Sequence, residues 1–230
     1  MTDRPFRIVF AIYDSMTHLD FTGPHQFMCR IPQSETLVAS IDGGTVEAEG
    51  LHFANTVPLR DIDVCDLICV PGGRALALIE NADFLAQLRR LAGTARYITS
   101  VCTGSLLLGA AGLLKGKRAA CHWAWRDLLI EFGAVPVAER VVRDGNLITG
   151  GGVTAGIDFA LTVIAEVAGP EVAQRLQLGF EYDPQPPFDS GSPQTAPTEV
   201  LRTYLDGMSE GAIARREQMR QAAQRIATLA

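Results

Sequence analysis

The sequence predicts an α/β fold in which a mostly parallel sheet is sandwiched by helices, and three observations predict it. First, the most apolar runs, Phe6 to Tyr13 and Asp66 to Val70, are short and nearly unbroken, as in strands buried on both faces. Second, segments with helical spacing lie between such runs, and that alternation requires crossovers on a parallel sheet. Third, Asp20, Gly72-Gly73 and Cys102 each follow the carboxyl end of a run, where open parallel sheets gather their functional groups.

The elements follow in order. Phe6 to Tyr13 predicts the first strand and Asp14 to Asp20 a loop. In Phe21-Thr22-Gly23-Pro24, Thr22 suits a cap and Pro24 the first turn of a helix running to about Ile31. Glu35 to Ile41 predicts a second strand. Asp42-Gly43-Gly44 predicts a turn, and Thr45 to Glu49 with Leu51 to Ala54 a small hairpin. Asp66 to Val70 is the next buried strand; it stops at Pro71-Gly72-Gly73, and a helix is expected over Arg74 to Glu80. Ala82 to Ala92 puts Phe84, Leu85, Leu88 and Leu91 on one helical face. The β-branched run ending at Val101 passes into the small-residue and leucine pattern from Gly104 with no loop-sized gap. Cys102 therefore stands at a sharp strand-to-helix turn. Trp123 to Phe132 reads as a helix ended by Gly133, and Val141 to Ile148 as a hairpin turning at Asp144-Gly145. Gly150-Gly151-Gly152 leads into a helix from Thr154 to about Val167, and Glu171 to Leu178 is another. Glu181 to Pro197 is proline-rich and reads as an irregular surface loop. Thr198 to Leu229 is one long polar helical pattern, with Gly207 and Gly211 as breaking points. One domain over residues 1–230 is expected, with a helical extension from about 197.

Composition narrows the function. The chain has 230 residues, a net charge of −6 and no basic run, which argues against nucleic acid and anionic membrane surfaces. No apolar stretch is long enough to span a membrane, and Met1-Thr2-Asp3-Arg4-Pro5 does not read as a signal peptide. Five scattered cysteines, an odd number, read as reduced thiols in a cytoplasm.

Cys102 is the nucleophile candidate. A strand-to-helix turn lifts its side chain out of the sheet, and following N–H groups and a helix start point at the same spot, a setting that favours thiolate. The alternative is a buried, inert cysteine. Backbone N–H groups of Thr103, Gly72 and Gly73 are candidates to hold a developing negative charge; a plain turn is the other reading of the glycines. Asp20 is either an acid/base group or a helix-entry residue. Of His18, His25, His52 and His122, none adjoins Cys102, and Cys121-His122 reads as structural. Cys65 and Cys69 lack a matching His or Cys pair, so no metal is expected. Gly150 to Ala155 matches G-x-G-x-x-A, but a dinucleotide site needs a further strand and acidic residue after the helix. The expected role of this loop is to bring backbone close to Cys102, with Val153 in the pocket wall. No cofactor is expected.

Five motifs carry a resemblance that covers nearly the whole chain: Leu19 to Pro24, Cys69 to Gly73, Thr99 to Ser105, Glu139 to Asn146 and Thr149 to Gly152. They resemble the ThiJ/PfpI superfamily, whose sheet is the flavodoxin-like, class I glutamine amidotransferase-like sandwich. Together with the loop holding Glu181-Tyr182, Phe188 and Gly191-Ser192-Pro193, they most resemble its isocyanide hydratases. The resemblance implies that Cys102 is a nucleophile and Asp20 its acidic partner, where many relatives carry Glu. It further implies a homodimer without cofactor. The substrate would be a small isocyanide, hydrated to an N-substituted formamide through a thioimidate at Cys102. Peptidase-like relatives place His after the nucleophile, and Thr103 stands there here. Two alternatives stay open. One is a glyoxalase-like hydratase acting on methylglyoxal. The other is a non-catalytic sensing module like the sensor halves of AraC-type regulators.

Overall fold

The protein is described over residues 4–75 and 78–229 by a computed structural model. Five strands come first among its sheet elements: β1 (Phe6–Ala11), β2 (Ser34–Ser40), β3 (Gly44–Ala48), β4 (Leu51–Pro58) and β5 (Leu67–Val70). Helix α1 (His18–Met28) connects the first two, and α2 (Ala82–Ala92) leads to β6 (Tyr97–Val101) and α3 (Gly104–Ala110). Then come the short β7 (Arg118–Ala119) and β8 (Val135–Pro136), the hairpin β9 (Val141–Asp144) and β10 (Leu147–Gly150), and helices α4 (Ala155–Ala168) and α5 (Pro170–Gly179). The chain closes with α6 (Thr198–Gly207) and α7 (Ser209–Leu229).

Eight strands form one sheet in the order β3-β4-β2-β1-β5-β6-β10-β9. The interior pairings are parallel, with Ile8 beside Leu67, Leu67 beside Tyr97 and Val101 beside Gly150. Only the two edge pairings, β3–β4 and β9–β10, are antiparallel. Ile8, Val9 and Phe10 on β1 and all of β5 are fully buried, as nearly unbroken apolar strands require. Helices α1, α4 and α5 pack together, while α2 and α3 pack against each other and against β5. The predicted α/β sandwich is therefore the observed one. Among the described residues no helix is long and apolar enough to cross a membrane.

Several local expectations change. Helix α1 begins at His18, with Thr17 in the cap position, so Asp20 sits in the first turn rather than in a loop. Pro24 lies inside that helix, and its ring meets α4 where Gly156 leaves room; a Cβ on Gly156 would come within 3.2 Å of it. Burial of the ring offsets the missing N–H. The helix expected over Arg74 to Glu80 is not seen at Arg74, whose N–H donates to the Ser15 carbonyl, or at Leu78 to Glu80, which form a turn. Residues 76 and 77 of that segment lie outside the described residues. Trp123 to Phe132 tightens into a 3₁₀ turn over Arg126–Phe132, closed by Gly133 at φ 72°. The C-terminal helical pattern breaks at Met208, after Gly207. Ion pairs of Arg216 with Asp127, Arg220 with Glu131 and Arg225 with Glu80 tie α7 back to the sheet domain.

Helix α3 starts so close to β5 that a Cβ on Gly104 would lie 2.1 Å from the Val70 carbonyl oxygen. Gly104→Ala is expected to lower stability by about 1–3 kcal/mol through overpacking. The check is the urea midpoint, and an unchanged value would mean that α3 can draw back from the sheet.

Candidate active site

Cys102 has φ 58°, the left-handed region, between the end of β6 and the start of α3. Such a conformation costs a non-glycine residue about 1–3 kcal/mol and persists only where its surroundings hold it. Here the Cys102 N–H donates to the carbonyls of Gly150 and Gly151, at 3.1 and 3.0 Å, which fastens the elbow to the end of β10. The sulfur in turn accepts from the N–H groups of Val153 and Thr103.

The turn after β5 closes the other side. A Cβ on Gly72 would lie 2.5 Å from the Thr103 nitrogen, 2.7 Å from Asp20 Oδ2 and 2.8 Å from Cys102 Cβ. Only glycine allows the three to meet. The Gly72 N–H donates to Asp20 Oδ2 at 3.1 Å. The Gly73 N–H donates to Thr103 Oγ1 at 2.8 Å, and that hydroxyl donates back to the Gly73 carbonyl. The N–H groups of Gly72 and Gly73, expected to face an anion, are thus engaged with side chains. The donors at the sulfur are Thr103 and Val153, so Val153 is more than wall.

Asp20 is fully buried, and Oδ1 has no hydrogen-bond partner among the described residues. Burial pushes its carboxyl up to about 7; contact with the Cys102 thiol and the Gly72 N–H opposes this, and the charge of Glu49 adds to it. Burial also raises the Cys102 thiol, and the negative charge of Asp20 raises it further. The expected bias toward thiolate is therefore reversed. Two N–H groups and a helix start are outweighed by loss of water and by a carboxyl neighbour. Tyr13 is buried beside the pair and donates to the Pro71 carbonyl at 2.9 Å. Burial and the charges of Asp20 and Cys102 raise its phenol as well, so it stays neutral.

The sulfur opens onto a cavity of about 440 Å³ whose walls include Met16, Thr103, His122, Trp125, Val153 and Tyr204. Exposed Glu47, Glu49 and Arg74 also line it. His122 lies on Gly152, where a Cβ would approach Cδ2 to 2.4 Å. Its Nδ1 accepts from the Ala124 N–H at 3.2 Å, and burial lowers its pKa. The ring is therefore neutral with its proton on Nε2. Tyr204 reaches the cavity from α6, with its ring 5.4 Å from that of Trp123.

Residues 6–166 match the DJ-1/PfpI family. The chain belongs to the DJ-1/PfpI family. It is 51% identical over 197 residues to the isonitrile hydratase of Pseudomonas putida, covering 85% of this chain and 86% of that protein. A ThiJ/PfpI family protein from Pseudomonas syringae superposes with a TM-score of 0.90 at 39% identity, covering 97% of this chain and 91% of that one. The transcriptional regulator CdhR of Pseudomonas aeruginosa is 33% identical over 146 residues, which is 62% of this chain and 44% of the regulator.

In this DJ-1/PfpI chain the G-x-G-x-x-A stretch serves the elbow. Gly150 and Gly151 offer carbonyls to Cys102, Gly152 seats His122, and α4 is followed by α5 rather than by a strand. Cys65 and Cys69 are core residues, Cys65 bonding to the Leu91 carbonyl at 3.6 Å. Among the described residues no group of three His, Cys, Asp or Glu could hold a metal ion. Sequence reasoning missed Tyr13, Trp125 and Tyr204 and set His122 aside. The aromatic run around His122 was the one local signal, since Tyr204 enters from a separate helix.

The raised carboxyl has a thermodynamic consequence. Asp20 holds its proton more tightly folded, near 7, than at its ordinary 3.8. Its stabilising contribution is complete below pH 4 and is lost as pH rises through about 7. The stability of wild type relative to Asp20→Asn should therefore fall from pH 4 to pH 8, by about 4 kcal/mol in order of magnitude. Urea titrations across that range measure it, and a flat difference would mean that Asp20 titrates normally.

Proposed function

We propose that this chain hydrates isocyanides, R–N≡C, to N-substituted formamides through a thioimidate on Cys102. The observation that carries the reading is the buried Asp20–Cys102 pair, two acids in contact whose thiol is raised and whose carboxyl sits near 7. Likeness to the P. putida enzyme over most of the chain supports the substrate class.

The terminal carbon of an isocyanide becomes electrophilic when it is protonated. The protonated Asp20 carboxyl hands its proton to that carbon and then takes the thiol proton as sulfur bonds to the same carbon, giving R–N=CH–S–Cys. The N–H groups of Thr103 and Val153 hold sulfur while it is anionic. Water then adds across C=N, its oxygen to carbon and a proton to nitrogen, and the neutral His122 offers its Nε2–H to this step. The C–S bond breaks, the hydroxyl proton returns to the Asp20–Cys102 pair, and R–NH–CHO leaves. Isocyanide plus water equals formamide, so no cofactor enters the balance.

Cys102→Ala and Cys102→Ser are expected to fold and to show no turnover of cyclohexyl isocyanide. Asp20→Asn should keep a thiol that iodoacetamide alkylates yet lose about 10²–10⁴ in rate, the usual share of a proton-transfer group. Wild-type kcat should decline as pH rises above about 7, because the carboxyl then lacks its proton. Near-normal rates in either Cys102 variant would end the covalent mechanism. Methylglyoxal run in parallel separates the glyoxalase-like reading, and binding without turnover of either compound would favour a sensor.

The same reading makes residues 1–230 one domain with α6 and α7 as its extension, working as a homodimer in a reducing cytoplasm on a small molecule, without nucleic acid or membrane. Val200, Tyr204 and Leu205 on α6 and Ile213 on α7 are exposed apolar groups that supply contact area. Sedimentation equilibrium should give twice 24.8 kDa. A monomer mass at micromolar concentration would exclude the dimer.

A further inference from the structure

A second cavity, of about 400 Å³, adjoins the one at Cys102. The two share His122 and Val153 as walls, so these residues are a partition between the reacting sulfur and the second space. Arg126 lines the second cavity and is half-buried. Its guanidinium has no hydrogen bond, ion pair or aromatic ring as partner among the described residues, and its charge is felt by the buried Cys121 next to His122. The other charged groups of this cavity are committed. Glu139 pairs with Arg118 at 3.4 Å, and Arg140 pairs with Asp158. Asp127, the chain neighbour of Arg126, is held by Arg216.

A half-buried guanidinium at a cavity wall that has no partner of its own among the described residues is free to take an anionic group. A guanidinium offers a planar fork of donors that matches a carboxylate. Thr154, Ser192 and Gln194 add neutral polar groups to a lining that also holds Trp123, Val153 and Pro193, a mixture that suits an alkyl tail ending in a polar group. We infer that this second cavity is a substrate subsite, and that the isocyanide this chain prefers carries a carboxylate on its R group, bound by Arg126. The inference rests on the proposed hydration. Sulfur would attack the isocyanide carbon in the first cavity while the tail passes His122 and Val153 to reach the guanidinium.

The test uses the full chain with ω-isocyanoalkanoates of increasing length, each beside its methyl ester. Wild type should show kcat/KM about tenfold or more higher for at least one acid than for its ester, mostly through KM, as a charge-assisted contact gives. That acid-to-ester ratio should shrink toward one in Arg126→Gln and be partly kept in Arg126→Lys. It should also narrow at high salt. Product inhibition by the matching N-formyl acids over their esters gives a second reading on wild type alone, independent of any variant's folding. Equal or better turnover of the ester at every length would overturn the subsite while leaving hydration intact, as would a ratio that survives in Arg126→Gln. Failure to hydrate any isocyanide would overturn the activity itself and this inference with it.

Discussion

The left-handed backbone of Cys102 is the constraint on which the site depends. A residue at φ 58° cannot hold that conformation unaided, and the carbonyls of Gly150 and Gly151 clamp its N–H. The clamp fixes three things together. The sulfur stands clear of β6, the Thr103 and Val153 N–H groups turn toward it, and its Cβ comes close enough to Gly72 that no side chain fits there. Asp20 reaches the same point because Gly72 gives its N–H to Oδ2. A loop, a strand end and a helix first turn are thereby locked onto one atom.

Burial then decides the chemistry. Thr103 and Val153 alone would favour a thiolate, yet Cys102 is 5% exposed beside a carboxyl that is itself cut off from water. Two adjacent acids in a poorly hydrated space cannot both ionise at neutral pH, so protons stay on the pair. On the proposed hydration, such a pair suits a reaction in which the carboxyl gives its proton to carbon and recovers one from sulfur. A permanently charged thiolate would lack the proton that the substrate needs.

Around this fixed centre the DJ-1/PfpI sheet supports more variable parts. Trp125 comes from the segment before the 3₁₀ turn, Tyr204 from α6 and the exposed acids Glu47 and Glu49 from the β3–β4 hairpin. These elements lie at the edge of the sheet or beyond it, where side chains can change without disturbing the parallel core. On the proposed hydration, substrate selection would fall to them and the reaction to the elbow.

Features governed by near neighbours in the chain were legible in the sequence. Ala82–Ala92 is helical as its apolar spacing required, and Asp144-Gly145 turns the β9–β10 hairpin because glycine accepts φ 64°. The lack of any gap between Val101 and Gly104 was enough to place Cys102 at an elbow. Pro24 misled because a proline is common at a helix start; only the space left by Gly156 on α4 explains it in the interior. Gly72 and Gly73 could be recognised as exposing backbone. Which groups would take their N–H bonds depended on Asp20 and Thr103 arriving from the starts of α1 and α3. His122 resembled a structural residue, since nothing local announced Gly152 beneath it or Val153 beside it. The direction of the Cys102 shift was equally hidden, because desolvation is set by everything that surrounds a group in space. Sequence by itself determined the alternation of elements, the turn chemistry and the place of Cys102 at the elbow, all of which rest on spacing and backbone preference over a few residues. Tertiary structure alone decided the donors, the protonation and the pocket walls, because each depends on groups brought together from distant parts of the chain.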